Sequence, residues 1–173
     1  HFSADFREFL DGADVVDVVT PSDSHFPLCR EAIEAGKDVF VEKPITVATK
    51  EAEALASLVE KTGKILQVGY YYRFHPISRF IKDQIDSGAL GEIRYIAGNF
   101  LGFKRARNDV GVTHTDAIHF FDLYNWFLGP AETVLASVVR DHFGRGLEDT
   151  SLVVLEYPGG AIGKVESGYI QPG

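Results

Sequence analysis

The alternation of short apolar runs with amphipathic ones between residues 13 and 69 constrains the fold more than any other feature of this chain. Ala13-Asp14-Val15-Val16-Asp17-Val18-Val19-Thr20 is a β-branched run ended by Pro21, which reads as a strand and its turn. Ser24 then offers an N-cap for a helix carrying Phe26, Leu28, Cys29, Ala32 and Ile33, and Gly36 offers its C-cap. Asp38 to Glu42 is a second strand. Thr49 to Lys61 is a second helix with Ala52, Leu55, Ala56 and Val59 on one stripe, stopped at Gly63, and Ile65 to Val68 is a third strand closed by Gly69. A short helix, Asp5 to Leu10, precedes them. Strand, helix, strand, helix, strand with short connections describes successive right-handed crossovers of a parallel sheet. Residues 1–74 are therefore expected to be the later part of a doubly wound, nucleotide-binding type of domain.

After Tyr70-Tyr71-Tyr72-Arg73-Phe74-His75-Pro76 the pattern changes. A helix from Ile77 to Ser87 is followed by longer strands at Glu92 to Phe103, Thr133 to Arg140, Ser151 to Tyr157 and Ala161 to Ser167, with one helix, Asp116 to Leu128, among them. Pro158-Gly159-Gly160 is a turn signal that makes the last two strands an antiparallel hairpin. Residues 75–173 thus read as an incomplete α+β domain with a mostly antiparallel sheet, and the chain as α/β followed by α+β.

Charge and composition exclude several classes of partner. With 17 Lys and Arg against 25 Asp and Glu, the net charge of -8 repels nucleic acid and acidic membranes over most of the surface. No apolar run approaches the length of a membrane span. The single cysteine, Cys29, permits no disulfide within the chain and fits a reducing cytoplasm. The chain begins with His1 and holds no methionine, so it reads as a fragment or a processed product.

Four stretches carry candidate chemistry. Asp38-Val39-Phe40-Val41-Glu42-Lys43-Pro44 delivers a charged pair to the carboxyl end of a buried strand, where open α/β sheets keep their ligands. A lysine there loses hydration, which lowers its pKa and makes it a usable proton donor or acceptor; an exposed ion pair at a strand end reads equally well. Thr20-Pro21-Ser22-Asp23-Ser24-His25 follows the preceding strand, so its backbone and the helix N-terminus face the same crevice, though a helix cap with a solvated histidine explains it as simply. On the later helix, Thr115, His119 and Asp122 share one face at helical spacing, with Trp126 a turn beyond and Asp116 beside them. His114 and His119 do not share a helix face and no His-Glu-x-x-His pattern occurs, so no metal site is expected. Lys104-Arg105-Ala106-Arg107 stands out in an acidic chain; it reads as a solvated loop or as a seat for an anionic part of a substrate.

Taken in order, Thr20-Pro21 with His25, Glu42-Lys43-Pro44, Gly69-Tyr70 with Arg73-Phe74 and Pro76, and His119 with Asp122 resemble the Gfo/Idh/MocA family, named for glucose-fructose oxidoreductase and inositol dehydrogenase. The resemblance implies a Rossmann domain using NAD or NADP and a sugar, cyclitol or nucleotide-sugar substrate; an antiparallel sheet with one face free of helices is expected to bury its apolar side chains against a partner, which gives a homo-oligomer, dimer or tetramer, through the C-terminal sheet. The resemblance also implies that Lys43 and His119 handle the proton and that the Thr20-Pro21 loop, Glu42 and Lys43 border the cofactor, where His25 and Arg73 are expected as well; Lys43, Thr115, Asp116 and His119 are expected to border the substrate, joined by Arg105 from the basic run. A carbinol proton must leave as hydride leaves the carbon, so a lysine and a histidine suit the reaction.

Three departures accompany the resemblance. Many members carry Asp four residues before the histidine, where this chain has Thr115, with Asp116 one place later; the amide after Gly-Tyr is replaced by Tyr71. No Gly-x-Gly-x-x-Gly turn occurs, so the 173 residues alone are expected to bind a dinucleotide weakly and the full-length parent to bind it. Two alternatives stay open: a non-catalytic NAD(P)-sensing subunit that keeps the fold, and a second domain serving chiefly as an association surface.

Overall fold

The computed structural model describes residues 2–104 and 106–170. The chain divides between Gly69 and Tyr70 into two compact units, so the Tyr70–Phe74 segment belongs with the second.

In the first unit, β1 (Val15–Val18), β2 (Asp38–Val41) and β3 (Leu66–Val68) pair in parallel in the order β1-β2-β3. The strands are shorter than the β-branched runs suggested, because pairing ends at Val18 opposite Val41 and both segments then leave the sheet for their loops. Register aligns Val16, Val39 and Leu66 in one row and Val18, Val41 and Val68 in the next. These side chains share a face, since alternate residues of a strand point the same way. They pack on Cys29, Ala32 and Ile33 of α2 (His25–Glu34) and on Leu55 of α3 (Thr49–Thr62), all of them buried. Each large aliphatic side chain so buried contributes about 1.5–3 kcal/mol. Leu58 and Val59 complete the α3 stripe, whereas Ala56 is exposed. The opposite face of the sheet leaves Val15 and Phe40 exposed.

The helix ends follow the glycines. Gly36, at φ 79°, ends α2: its N–H donates to Ile33 and that of Lys37 to Ala32, satisfying carbonyls that the helix leaves open. Ser24 does not cap α2 with its side chain; it lies in a 3-10 turn, Ser22–Ser24, and donates instead to Thr20 and Pro21. The short α1 spans Arg7–Leu10.

The second unit carries a four-stranded sheet in the order β4-β7-β6-β5, from β4 (Tyr95–Leu101), β5 (Thr133–Arg140), β6 (Glu148–Glu156) and β7 (Ile162–Gly168). β5–β6 and β6–β7 are antiparallel, the latter across the expected Pro158-Gly159-Gly160 turn, but β4–β7 is parallel, so the sheet is mixed. β6 starts at Glu148, earlier than expected, because the hairpin with β5 pairs Arg140 with Glu148. α4 (Pro76–Asp86) precedes the sheet, and α5 (Ile118–Leu128) packs on one of its faces against Val153, Leu155 and Val165. Gly98 permits that approach: a Cβ there would lie 2.5 Å from the Phe120 ring and 2.7 Å from the Tyr124 hydroxyl. Every residue of β5 is exposed, with Val134 at 62% and Leu135 at 60%.

The helix expected over Asp116–Leu128 is in fact two structures. Thr113–Ala117 is a π-helical turn, in which Ile118 N–H reaches back to Thr113, and regular α-helix begins only at Ile118. Regular α-helical spacing therefore begins at Ile118, after one wider turn.

Candidate functional site

In the first unit the candidate residues lie on the loops at the carboxyl ends of β1 and β2. Thr20 and Pro21 are exposed at the rim. Glu42 N–H donates to Val18 (3.0 Å), and the Glu42 carboxylate accepts from the Lys43 N–H (3.3 Å) and lies over Gly69. Lys43 and Glu42 are half-buried, and the Lys43–Pro44 peptide is cis.

His25 is where the structure departs most from expectation. It is neither solvated nor at the rim: it is 1% exposed, with Nδ1 2.7 Å from the Pro44 carbonyl oxygen and Nε2 2.9 Å from that of Thr20. The ring is therefore a brace between the loop after β1 and the loop carrying Lys43, and not the solvated histidine of a helix cap. An imidazole carries nitrogens on opposite edges, so one ring reaches both carbonyls; because a carbonyl oxygen only accepts, the neutral ring donates its single N–H to one of the two at a time. The helical start at His25 signalled its location, but nothing local signalled Pro44 as its partner.

In the second unit the 3-10 turn Tyr71–Phe74 meets the polar face of α5. Arg73 forks onto Asp122, with Nε 2.8 Å from Oδ2 and Nη2 2.5 Å from Oδ1, and its guanidinium lies 5.9 Å from the Trp126 ring centre. That hydrogen bonding raises the Arg73 pKa further above its ordinary value. Arg73, expected beside cofactor, thus gives its fork to Asp122 as a clamp within the unit. Burial, reinforced by the Asp122 charge, pushes the adjoining Tyr70 phenol up to about 12.

His119 is 4% exposed and carries two rings on it: Tyr72, with centroids 4.6 Å apart, and Tyr71, at 5.2 Å and nearly perpendicular. Thr115, four residues before it, lies in the π-turn. It is 6% exposed, and its hydroxyl is 3.1 Å from the Gly111 carbonyl and in contact with the Tyr169 hydroxyl. Asp116 is also buried, and its Oδ2 accepts from Lys104 Nζ at 2.8 Å; that ammonium in turn sits 3.5 Å from the Phe100 ring centre. Asp116, expected beside substrate, is one half of an ion pair.

The basic run is largely committed to the chain itself. Lys104 pairs with Asp116 and Arg107 forks onto Asp109 at 2.7–2.8 Å. Arg105 lies outside the described residues. Among the described residues, no three His, Cys, Asp or Glu side chains are gathered as a metal set, and no helix is long and apolar enough to cross a membrane.

The loops after β1 and β2 suit the part of a dinucleotide that lies along the carboxyl edge of a parallel sheet, and the chain contains no glycine-rich turn to cradle a pyrophosphate. Comparison with known proteins agrees. Residues 1–70 match a family model described as an oxidoreductase family with an NAD-binding Rossmann fold, and residues 78–173 match the GFO/IDH/MocA C-terminal domain. The chain is 32% identical to the scyllo-inositol 2-dehydrogenase (NAD(+)) of Bacillus subtilis, an alignment covering 99% of this chain and 54% of the relative. An inositol dehydrogenase homologue from Azotobacter vinelandii, solved with NADH and myo-inositol, superposes with a TM-score of 0.88 at 28% identity, over 97% of this chain and 48% of that one. The WlbA dehydrogenase of Bordetella pertussis, solved with NADH and UDP-GlcNAcA, shares the fold with a TM-score of 0.91 at 24% identity, over 98% of this chain and 53% of that one. The chain thus spans about half the length of the relatives it matches. With both units matched in order across nearly all of its residues, the chain belongs to the Gfo/Idh/MocA family of oxidoreductases.

Proposed function

We propose that this chain is part of an NAD(P)-dependent oxidoreductase acting on a carbinol of a sugar, cyclitol or nucleotide sugar, in which Lys43 and His119 handle the proton. The nicotinamide, when bound, supplies hydride chemistry. The chain's own residues supply the rest: the Thr20-Pro21 loop and Glu42 border the cofactor, while Lys43 and His119 exchange the proton of the carbinol oxygen. The observation that carries this reading is the position of Lys43, on a loop at the carboxyl end of β2 in an NAD-binding type of sheet, with Pro44 secured by His25 at 2.7 Å. The substrate class follows the relatives, which are named for inositol or were solved with an inositol or a UDP-linked sugar.

The Lys104–Asp116 pair bears on the proton path. Asp116 is buried and engaged by Lys104 Nζ at 2.8 Å, so its carboxylate is already committed within the unit. That leaves the proton to Lys43 and His119. The second unit also supports a homo-oligomer, a dimer or tetramer formed through the C-terminal sheet, since β5 exposes apolar residues along a sheet edge. Light scattering of the intact protein tests this, and a strict monomer overturns it.

Replacing Lys43 with Ala in the intact protein tests the function. Turnover with NAD(H) or NADP(H) should fall roughly 10²- to 10⁴-fold while cofactor affinity changes little, the scale expected for losing a general acid–base group. A protein that binds cofactor and turns over no polyol or nucleotide sugar before or after the change would instead be a sensor, and the dehydrogenase reading would fail.

A further inference from the structure

We propose that Tyr71 and Tyr72 are positioning residues for His119, fixing the plane of its imidazole so that one nitrogen is aimed for proton exchange. This rests on His119 acting in the reaction. The side-chain torsion that sets an imidazole plane is broad and roughly two-fold, so a helix alone does not choose it. His119 also stands in the first turn of α5, directly after the Thr113–Ala117 π-turn, where the backbone upstream is out of α-helical register. Something outside the helix must orient the ring.

The two tyrosines are built to do so. Tyr72 meets the imidazole at 4.6 Å with planes inclined by 60°, and Tyr71 at 5.2 Å with planes inclined by 69°. The tyrosine rings also pack on each other at 4.5 Å. Three rings in mutual contact at steep angles interlock, so turning the imidazole requires both phenols to move. Tilted and edge-on arrangements are those that aromatic rings favour.

The segment presenting them is itself anchored. Arg73, next in the chain, is forked onto Asp122, and Asp122 lies three residues beyond His119 on the same helix face. The neighbouring Tyr70 is largely shielded from solvent, and the next helix begins at Pro76. One ion pair therefore sets the distance between the turn and α5, and the two rings fill it. Tyr71 is 55% exposed while His119 is 4% exposed, so the phenol forms the outer layer and the imidazole the inner one.

The test uses the intact protein with a substrate it turns over. Tyr72→Ala should lower kcat about 10- to 100-fold, the scale of a small misplacement of a catalytic group, with KM for the nicotinamide cofactor within about threefold. Tyr72→Phe should keep most of the activity, because the ring and not the hydroxyl does the positioning. In a His119→Ala background the added Tyr72→Ala change should cost less than about twofold, since its effect acts through the missing imidazole. A full loss in Tyr72→Phe, or an undiminished Tyr72→Ala effect in the double variant, overturns the proposal.

Proton NMR separates this from the reading beneath it. The His119 ring resonances should shift on Tyr71→Phe little, and on Tyr71→Leu or Tyr72→Leu clearly, as the ring currents are removed; no shift overturns the clamp. If His119→Ala leaves kcat unchanged while the resonances do shift, the clamp stands as structure, but its positioning role falls with the catalytic reading of His119.

Discussion

The two units each bury a histidine, and the surroundings of the two rings differ in kind. His25 sits between two backbone carbonyls, of Thr20 and Pro44, whereas His119 sits against two tyrosine rings. The first arrangement holds loops together through directional hydrogen bonds and leaves no ring nitrogen for chemistry. The second orients an imidazole by shape. The difference extends through each unit. The first organises its ligand-facing edge with backbone bonds and one brace, over strands whose order the sequence dictates. The second relies on pairs of charged side chains, Arg73–Asp122 and Lys104–Asp116, joining segments far apart in the chain.

The contrast predicts different penalties for removing equivalent groups. His25→Ala should cost the most stability, about 2–4 kcal/mol in chemical denaturation, because it strips a partner from two carbonyls and empties a buried site. His119→Ala should cost less, about 1–2 kcal/mol from lost ring contacts, and more in turnover. Equal stability losses for the two would break the comparison.

Arg73→Ala tests the second unit's dependence on charge. It leaves Asp122, whose side chain is 7% exposed, without its guanidinium. The full penalty for orphaning a buried charge is about 3–5 kcal/mol; Arg73 itself is 40% exposed, so water screens part of the pair and the expected loss is about 1–3 kcal/mol. Adding Asp122→Asn should recover part of it by removing the unpaired charge. Arg73→Lys should not match the wild type, since an ammonium cannot reproduce the fork.

The smallest effect is a pH dependence that distinguishes the units chemically. Burial pushes the Cys29 thiol from its ordinary 9.0 up to about 11, so the folded protein keeps a proton that the unfolded chain gives up. Stability should therefore fall as pH rises through this window, by about 1 kcal/mol at pH 10 from this group. In the second unit, burial raises Tyr70 and Tyr157 from 10.0 to about 12, so their contribution should be lost only above pH 10. Cys29→Ala should flatten the slope between pH 9 and 10 and leave the steeper fall above it. An unchanged slope in that variant would remove Cys29 as the cause.

Much of the first unit was legible in the chain because its signals are local. A β-branched run between turn residues, a helix stripe closed by Gly36 or Gly63, and short links leave few alternatives to a parallel sheet. The hairpin over Pro158-Gly159-Gly160 was legible for the same reason. The sheet order of the second unit was not, because β4 pairs in parallel with β7 across a long stretch of intervening chain and no local residue marks it. The π-turn over Thr113–Ala117 was not legible either, since it needs only one displaced hydrogen bond and leaves the composition of a helix unchanged. Nor were the partners of His25 and Arg73 legible, because burial and partners depend on distant segments.

Residue order by itself therefore determined the family, the strand–helix alternation of the first unit, and Lys43 at the end of a strand. These depend on propensities and spacings within a few residues of each other. Tertiary structure decided which polar groups are free to act. His25 finds its partners 19 and 5 residues away, Arg73 finds Asp122 49 residues away, and Lys104 and Asp116 are 12 apart; only folding brings a buried charge or imidazole to the group that satisfies it.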